Sequence, residues 1–271
     1  MSERRETLLR LLQDETGKIT DVKIFQEEKP EKPKPLTIFE LKPGLVTRDV
    51  FLLCLTEGSV VDWGDGTNSV VSAEEARENM IRHIYADTSD RVVTIDGVIN
   101  KEPIPNDSPF PRESIVSIRS IGELTGGVAG LFADCYSLTS LPEGLFDNFT
   151  AETNFSYCFI NCDLLKSLPE GLFNNCTAAT DFSLCFKNCS YLTEIPKGLF
   201  DSCTAATNFT QCFKDCCGLT GETPYTMVNG KKVKLWERSP ENGFAKVTKH
   251  ESCFMGCTGL SDYAEIPDDW K

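Results

Sequence analysis

The chain has 271 residues, of which 40% are hydrophobic, and it carries a formal net charge of −14 with a sequence pI of about 4.7. This size allows one large domain or two modest ones. The acidity excludes nucleic acids and anionic membrane surfaces as expected partners, because both would repel the chain. The sequence contains no apolar run of membrane-spanning length, so we predict no membrane span.

Residues 1–35 form the first predicted segment. The leucines of "ETLLRLLQ" predict a short helix over residues 3–14, and the charged stretch "EEKPEKPKP" predicts a stiff, proline-rich linker. The helix would be either a solvated tail or a docking and oligomerisation element. This segment lacks the apolar core and small-residue cleavage site of a signal peptide. We therefore expect a protein that stays inside the cell, has lost an export signal, or leaves by another route.

Residues 36–105 contain short β-like runs separated by turn residues, such as "LTIFEL" and "RVVTIDG", and predict a small β-sandwich. The stretch "VSAEEARENMI" (residues 71–81) predicts an inserted helix. The turn "VVDWGDGT", followed by "HIY" from His83, resembles the polycystic-kidney-disease-type (PKD-like) immunoglobulin-like domain. That resemblance implies a spacer or interaction module. The two glycines of the turn permit positive φ, and we expect Trp63 to pack inward beside Tyr85.

Residues 106–271 contain a repeat with a period of 27 residues, which is the mark of a stacked repeat protein. In each unit "LxxLP" predicts a short strand, and the segment typified by "ATNFTQCFKDC" predicts a short helix. We therefore predict an α/β leucine-rich-repeat solenoid following the immunoglobulin-like β-sandwich. Its caps would be "ESIVSIRSIGELTGG" and "GLSDYAEIPDDWK", with Trp270 over the last layer. The recurring residues include Phe155, Phe182 and Phe209, Cys158, Cys185 and Cys212, and Cys135, Cys162, Cys189 and Cys216.

The repeats carry the phrases "LFADCYSLTSLP", "CFINCDLLKSLP" and "CFKNCSYLTEIP". Together with the WGDGT-type turn, they resemble the BspA-like leucine-rich repeat proteins of bacterial surfaces. This resemblance implies a non-enzymatic adhesin or ligand-binding protein at the cell surface that recognises a protein or glycan. The missing signal peptide leaves a cytoplasmic location open. The alternative is a structural or scaffolding component that assembles through the N-terminal helix.

The thirteen cysteines allow several interpretations. The slot of Cys158 holds leucine in the first repeat, at Leu131, so we predict reduced thiols at apolar core positions rather than zinc ligands. Disulfides between neighbouring repeats stay open as an alternative, and Cys217 departs from the pattern and should be exposed. Cys253 follows His250 by three residues, which would allow a nucleophile and a base, but Cys253 also fills the core slot. We expect no enzyme, no cofactor and no metal.

A calcium ion at the carboxylates of Asp62 and Asp65 is the one metal alternative we considered. Side chains of this type more commonly stabilise the turn by bonding to nearby backbone amides. We therefore predict turn stabilisation and no calcium site.

The period is interrupted once, between Cys212 and Cys253, and the added residues lie within 221–250. "TMVNGKKVKLW" predicts a β-hairpin with Asn229-Gly230 as its turn. Residues 131–220 have ten acidic and four basic side chains, a net of −6, whereas residues 221–250 have three acidic and six basic ones, a net of +3. The hairpin could therefore bind a ligand or simply pack back over the repeats. The candidate ligand-binding residues are Tyr225, Lys231, Lys232, Lys234, Trp236 and Arg238.

Overall fold

The computed structural model describes residues 7–13, 19–26, 36–42, 49–101 and 108–271. Contacts divide the chain into two units, Met1–Lys34 and Pro35–Lys271.

The described part of the first unit is a pair of antiparallel strands, β1 (Thr7–Gln13) and β2 (Ile19–Gln26). The helix predicted over residues 3–14 is therefore wrong for residues 7–13. A short apolar run such as "TLLRLLQ" is compatible with either a helix or a strand. The neighbouring "ITDVKIFQ" is rich in β-branched residues that alternate with charged ones, and this favours a strand. Pairing between the two segments decides the structure. The predicted linker lies outside the described residues.

The second unit begins with a five-stranded sheet in the order β10-β3-β8-β5-β6, in which all neighbours are antiparallel. Two smaller pairs accompany this sheet: β4 pairs with β7 in antiparallel fashion, and β9 pairs with β11 in parallel. The strands are β3 (Thr37–Leu41), β4 (Asp49–Leu53), β5 (Val60–Asp62), β6 (Asn68–Val70), β7 (Met80–Ile84), β8 (Arg91–Asp96), β9 (Val98–Asn100), β10 (Ile115–Ser120) and β11 (Glu123–Thr125).

The predicted immunoglobulin-like β-sandwich is not what forms. One strand of the main sheet, β10, comes from the stretch "ESIVSIRSIGELTGG" that was assigned to the cap of the repeats. The remaining strands divide into one sheet and two separate pairs. The predicted runs "LTIFEL" and "RVVTIDG" do contain the strands β3 and β8, but the pairing of strands depends on contacts between distant segments, which periodicity does not contain.

The inserted helix predicted within residues 71–81 is confirmed as α1 (Ala73–Glu78). Ser72 caps its first turn, because its hydroxyl accepts a hydrogen bond from the Glu75 amide and the Glu75 carboxylate accepts one from the Ser72 amide. The helix ends at Asn79, which has φ of 61° and adopts the left-handed conformation typical of a C-terminal cap.

The sheet continues directly into the repeats through its β10 edge. Ser117 forms a parallel bridge with Ser140, and the amide of Thr139 donates a 2.9 Å hydrogen bond to the carbonyl of Val116. An edge strand exposes unpaired backbone groups that must be covered. The first repeat covers them here, so the sheet and the repeats share one hydrogen-bond ladder.

Successive repeats stack through backbone hydrogen bonds between neighbouring turns. The amide of Phe155 donates a 2.8 Å hydrogen bond to the carbonyl of Asp181, and the amide of Phe159 donates a 2.8 Å hydrogen bond to the carbonyl of Cys185. The same pattern recurs at the next two junctions, for example from Phe186 to Cys212 at 2.9 Å. We call residues 128–219 together with residues 249–260 the repeat stack.

The predicted α/β leucine-rich-repeat solenoid is wrong in its backbone. Among the described residues, the only α-helix is α1, and the repeat stack consists of turns joined by isolated bridges. Gln211, with φ of 55°, and Asp215, with φ of 62°, lie within the segment predicted to be helical. A right-handed helix cannot contain such residues. Their amides donate to the next turn instead of to the carbonyl four residues back, and this arrangement replaces the helix.

Three columns of phenylalanine rings fill the interior of the repeat stack. The longest column continues from the sheet through Phe110, and its neighbouring rings lie nearly parallel with centroids 5.3 to 5.7 Å apart. The members of these columns are fully or almost fully buried. The columns comprise Phe110, Phe132, Phe159, Phe186, Phe213 and Phe254; Phe155, Phe182 and Phe209; and Phe146, Phe173 and Phe200.

The interruption at residues 221–250 contains a hairpin of β12 (Tyr225–Val228) and β13 (Lys231–Lys234). Short 3-10 turns complete the chain; they are Leu235–Glu237, Pro240–Asn242, Tyr263–Glu265 and Asp268–Trp270. Trp270 covers the last layer as predicted: its carbonyl accepts a 2.9 Å hydrogen bond from the Phe254 amide, and its ring stacks on that of Phe254. Within the described residues, none of the helices has the length and apolar character needed to cross a bilayer.

Candidate functional site

The WGDGT turn uses its two carboxylates internally. Asp62 accepts a 2.9 Å hydrogen bond from the Gly64 amide, and Asp65 accepts bonds from the amide and hydroxyl of Thr67 at 3.0 and 2.6 Å. The predicted turn stabilisation is therefore confirmed. Gly64 has φ of 75°, and a side chain there would collide with the backbone of Val92, so the turn requires glycine at this position.

Behind this turn lies a small aromatic cluster. Trp63 and Tyr85 are buried together, as predicted, and the Tyr85 hydroxyl donates a 2.8 Å hydrogen bond to the Trp63 carbonyl. His83 stacks on Trp63 with ring centroids 4.6 Å apart, and its Nε2 lies 2.8 Å from Asp65 Oδ2. Burial opposes ionisation of Asp65, but hydrogen bonds from Thr67 and His83 outweigh it and lower the pKa of Asp65 to about 2.

This pKa shift predicts an acid-sensitive turn. Because the folded-state pKa of Asp65 is below its unfolded value of about 4, its stabilising effect is present above that pH and is lost as pH falls towards 2. The effect should be modest, about 1 kcal/mol or less, since solvent screens the carboxylate. Asp65→Asn should remove this part of the pH dependence in urea unfolding between pH 2 and 6. Asp96→Asn, an exposed carboxylate outside the turn, serves as the control; equal curves for both variants would contradict the prediction.

The predicted hairpin turn at Asn229-Gly230 is confirmed. The two residues have φ of 48° and 79°, which is the pair of positive values that a tight two-residue hairpin requires. The register places Tyr225 opposite Lys234 and Met227 opposite Lys232. The hairpin is therefore a defined structural element, although the six residues proposed there as ligand contacts have different environments.

Lys234 is part of a buried ion pair. Its Nζ lies 2.5 Å from Asp262 Oδ2, and the side chains are only 9% and 7% exposed. Asp262 also accepts hydrogen bonds from the amide and hydroxyl of Thr223. Burial opposes ionisation of Asp262, but the bonds from Lys234 and Thr223 lower its pKa. Lys234 therefore joins the hairpin to the C-terminal segment, and it does not face a ligand.

Arg238 is also directed inward. Its guanidinium donates to the carbonyls of Phe200 and Cys203 at 2.8 and 3.1 Å and lies 4.2 Å from the ring centroid of Phe244. Burial lowers the pKa of Arg238 to about 10, so the group stays charged at neutral pH. The side chain binds backbone carbonyls at the point where the Phe146–Phe173–Phe200 column ends. Arg238 therefore caps that column.

The other four candidates lie nearer the surface. Trp236 is partly buried and meets the rings of Phe254 and Trp270 at steep angles, so it packs back over the end of the repeat stack. Lys232 forms an ion pair with Glu222 and lies 4.5 Å from the ring centroid of half-buried Tyr225. Lys231 is exposed. Fewer of the six candidate side chains are accessible to a ligand than the sequence indicates.

The cysteines of the repeat stack line its interior. Their thiols donate to carbonyls of the preceding turn: Cys162 to Phe132, Cys189 to Phe159 and Cys216 to Phe186, with sulfur–oxygen distances of 3.2, 3.3 and 3.0 Å. Burial raises the pKa of these thiols. The predicted core role is therefore confirmed for the cysteines of the repeat stack other than Cys217, which are all buried. Cys217 is exposed, as predicted.

The pairing of Cys253 with His250 as nucleophile and base does not form. Cys253 is fully buried, and burial raises its pKa well above the usual range of a thiol. The ring of His250 stacks on Trp270 at 4.6 Å. Within the described residues, no group of three or more histidine, cysteine, aspartate or glutamate side chains could hold a metal ion.

One exposed feature of the repeat stack escaped the sequence analysis. Tyr136, Leu164 and Tyr191 belong to three successive turns, and they are 42%, 38% and 58% exposed. Asp163 belongs to the same turn as Leu164, and its carbonyl accepts a 3.1 Å hydrogen bond from the Tyr191 amide. We call Tyr136, Asp163, Leu164 and Tyr191 the tyrosine row. The signal in the sequence was that the residues just after each recurring cysteine differ from one repeat to the next.

Comparisons with known proteins give no match for this chain, either among models of protein families or among curated proteins.

Proposed function

We propose that this chain is a non-enzymatic binding protein of a bacterial surface that recognises a protein or glycan through the tyrosine row. The resemblance of its tandem motifs to BspA-like surface proteins supports the class of function. The observation that carries the proposal is the exposure of two tyrosines and a leucine on the outside of a stack whose three phenylalanine columns are fully or almost fully buried. Tyrosine is enriched at binding surfaces because it provides a large contact area together with a hydrogen-bonding hydroxyl.

The rigidity of the support favours the same role. The Phe132, Phe159 and Phe186 rings lie beneath the three turns that carry the row, with stacked neighbours 5.3 and 5.4 Å apart. Backbone hydrogen bonds tie each of these turns to the next. Side chains on a rigid support lose less conformational freedom on binding, so an ordered row binds more tightly than a mobile one.

Binding of the purified full chain to panels of immobilised extracellular-matrix proteins and polysaccharides tests the proposal. The variant Tyr136→Ser/Tyr191→Ser should bind at least about tenfold more weakly than the native chain, because it removes both aromatic contacts. Met227→Ser removes a comparably exposed apolar side chain from the hairpin and should bind normally. The absence of binding to every member of both panels, or equal binding by all three proteins, would contradict the proposal.

A further inference from the structure

The main sheet has one edge that the described residues leave uncovered. At the β10 edge the repeat stack continues the sheet through the bridge between Ser117 and Ser140, whereas β6 at the opposite edge pairs with β5 alone. We infer that β6 binds an extended, basic peptide segment of a partner protein, which adds to the sheet as a further strand. This surface is separate from the tyrosine row, and the inference does not rest on the proposed function.

The hydrogen bonds of β6 show which backbone groups are available. The Val71 amide donates a 2.9 Å hydrogen bond to the carbonyl of Ser59, next to β5. Residues that bond to the neighbouring strand alternate with residues that do not, so Ser69 faces β5, and Asn68 and Val70 direct their N–H and C=O groups away from it. Within the described residues these outward groups have no backbone partner. Such an edge is a template for an added strand.

The side chains at this edge offer one apolar and one polar position. Val70 is 64% exposed, and Val60, which lies opposite it on β5, is 36% exposed. Asn68 is also exposed and lies opposite Asp62. Side chains two residues apart along a strand lie on the same face of the sheet. An added strand therefore fits best with an apolar, branched side chain beside Val70 and a polar one beside Asn68.

Charge selects a basic strand. Asp62 is exposed, and only its Oδ1 takes part in the hydrogen bond from the Gly64 amide. Neighbouring strands lie about 4.8 Å apart, so a lysine on the added strand can reach across Asn68 to this carboxylate. Residues 56–78, which contain β5, β6 and α1, have six acidic and one basic side chain, a net of −5. A basic segment complements this edge, whereas the same acidic edge of a second copy would be repelled.

The synthetic peptide TKTVTKT, with both ends capped, is a direct probe of this edge. It presents valine between two lysines on one face and reads the same in both directions, so it suits either strand orientation. Fluorescence anisotropy of the labelled peptide, titrated with the full chain, measures binding. TKTVTKT should bind at least about tenfold more tightly than TETVTET, and its affinity should fall as salt is raised.

Val70→Pro tests the backbone contact. It removes an outward N–H group but leaves the bonds to β5, and proline is tolerated on edge strands where the N–H faces solvent. Binding should weaken by about tenfold, because the peptide carbonyl loses its donor. Val70→Thr keeps both the N–H group and the branched shape and should bind the peptide like the native chain. TKTVTKT that is N-methylated at its valine should bind the native chain about tenfold more weakly, a result that needs no folded variant.

Three outcomes would overturn the inference. Equal binding of TKTVTKT by the native chain and Val70→Pro, with the N-methylated peptide binding as well as the parent, would show attraction by net charge alone. Absence of TKTVTKT binding, or equal binding of TETVTET, would exclude a basic strand. Dimerisation of the full chain that Val70→Pro abolishes would assign the edge to a second copy. Circular dichroism and thermal unfolding confirm that each variant is folded, and if Val70→Pro is not, the N-methylated peptide decides.

Discussion

Phe186→Ala should destabilise the second unit by about 3–5 kcal/mol, the range measured when a buried phenylalanine is truncated to alanine. Phe186 is fully buried and stacks between Phe159 and Phe213, with ring centroids 5.4 and 5.3 Å away. Its removal leaves a cavity in the middle of the longest column, and the surrounding turns cannot close it easily because backbone hydrogen bonds fix their spacing. Urea unfolding followed by tryptophan fluorescence measures the loss.

Two variants of the same turn make this prediction specific. Phe186→Leu keeps most of the apolar volume and should cost less than the alanine variant. Tyr191→Ala removes an aromatic side chain five residues further along, but that side chain is 58% exposed, so its cost should be within about 0.5 kcal/mol. If Phe186→Ala and Tyr191→Ala were equally stable, the stacked phenylalanine columns would not hold the repeats together.

The side-chain columns of the repeat stack could be predicted from the sequence, but its backbone could not. The 27-residue period correctly aligned Phe155 with Phe182 and the recurring cysteines with one another. The spacing of four residues between Cys158 and Cys162 also fits one face of a helix, and this led to the wrong prediction of helices. The column of Asn161 and Asn188 carried the contrary signal, because asparagine tolerates the left-handed conformation that both adopt.

Counting charges along the sequence likewise predicted the location of the basic segment but not the contacts of its side chains. It identified an unusual basic segment at residues 221–250, and the hairpin formed where the turn residues predicted it. It could not show that Lys234 meets Asp262, or that Arg238 meets backbone carbonyls near Phe200, because these partners lie 28 and 38 residues away in sequence. The tyrosine row was missed for the opposite reason. Its members occupy positions at which the residue differs from repeat to repeat, whereas a period reveals only the positions at which the same residue recurs.

Asp262→Leu should destabilise the second unit by about 3–5 kcal/mol, because it leaves the ammonium group of Lys234 buried without its carboxylate. It also removes the acceptor for the amide and hydroxyl of Thr223, both in a buried position. The C-terminal segment would then lose its attachment to the hairpin, although Trp270 still covers Phe254. Urea unfolding at pH 7 measures the change.

The double variant Lys234→Met/Asp262→Leu distinguishes an unpaired charge from lost packing. It replaces both members of the pair by apolar groups, so it should be more stable than Asp262→Leu alone by at least about 1 kcal/mol. The bonds from Thr223 to Asp262 are lost in both proteins, and the double variant also loses the 3.4 Å hydrogen bond from Lys234 Nζ to the Thr223 carbonyl, so a gain in stability reports the removal of the buried charge. A double variant as unstable as Asp262→Leu would show that the carboxylate acts mainly through Thr223.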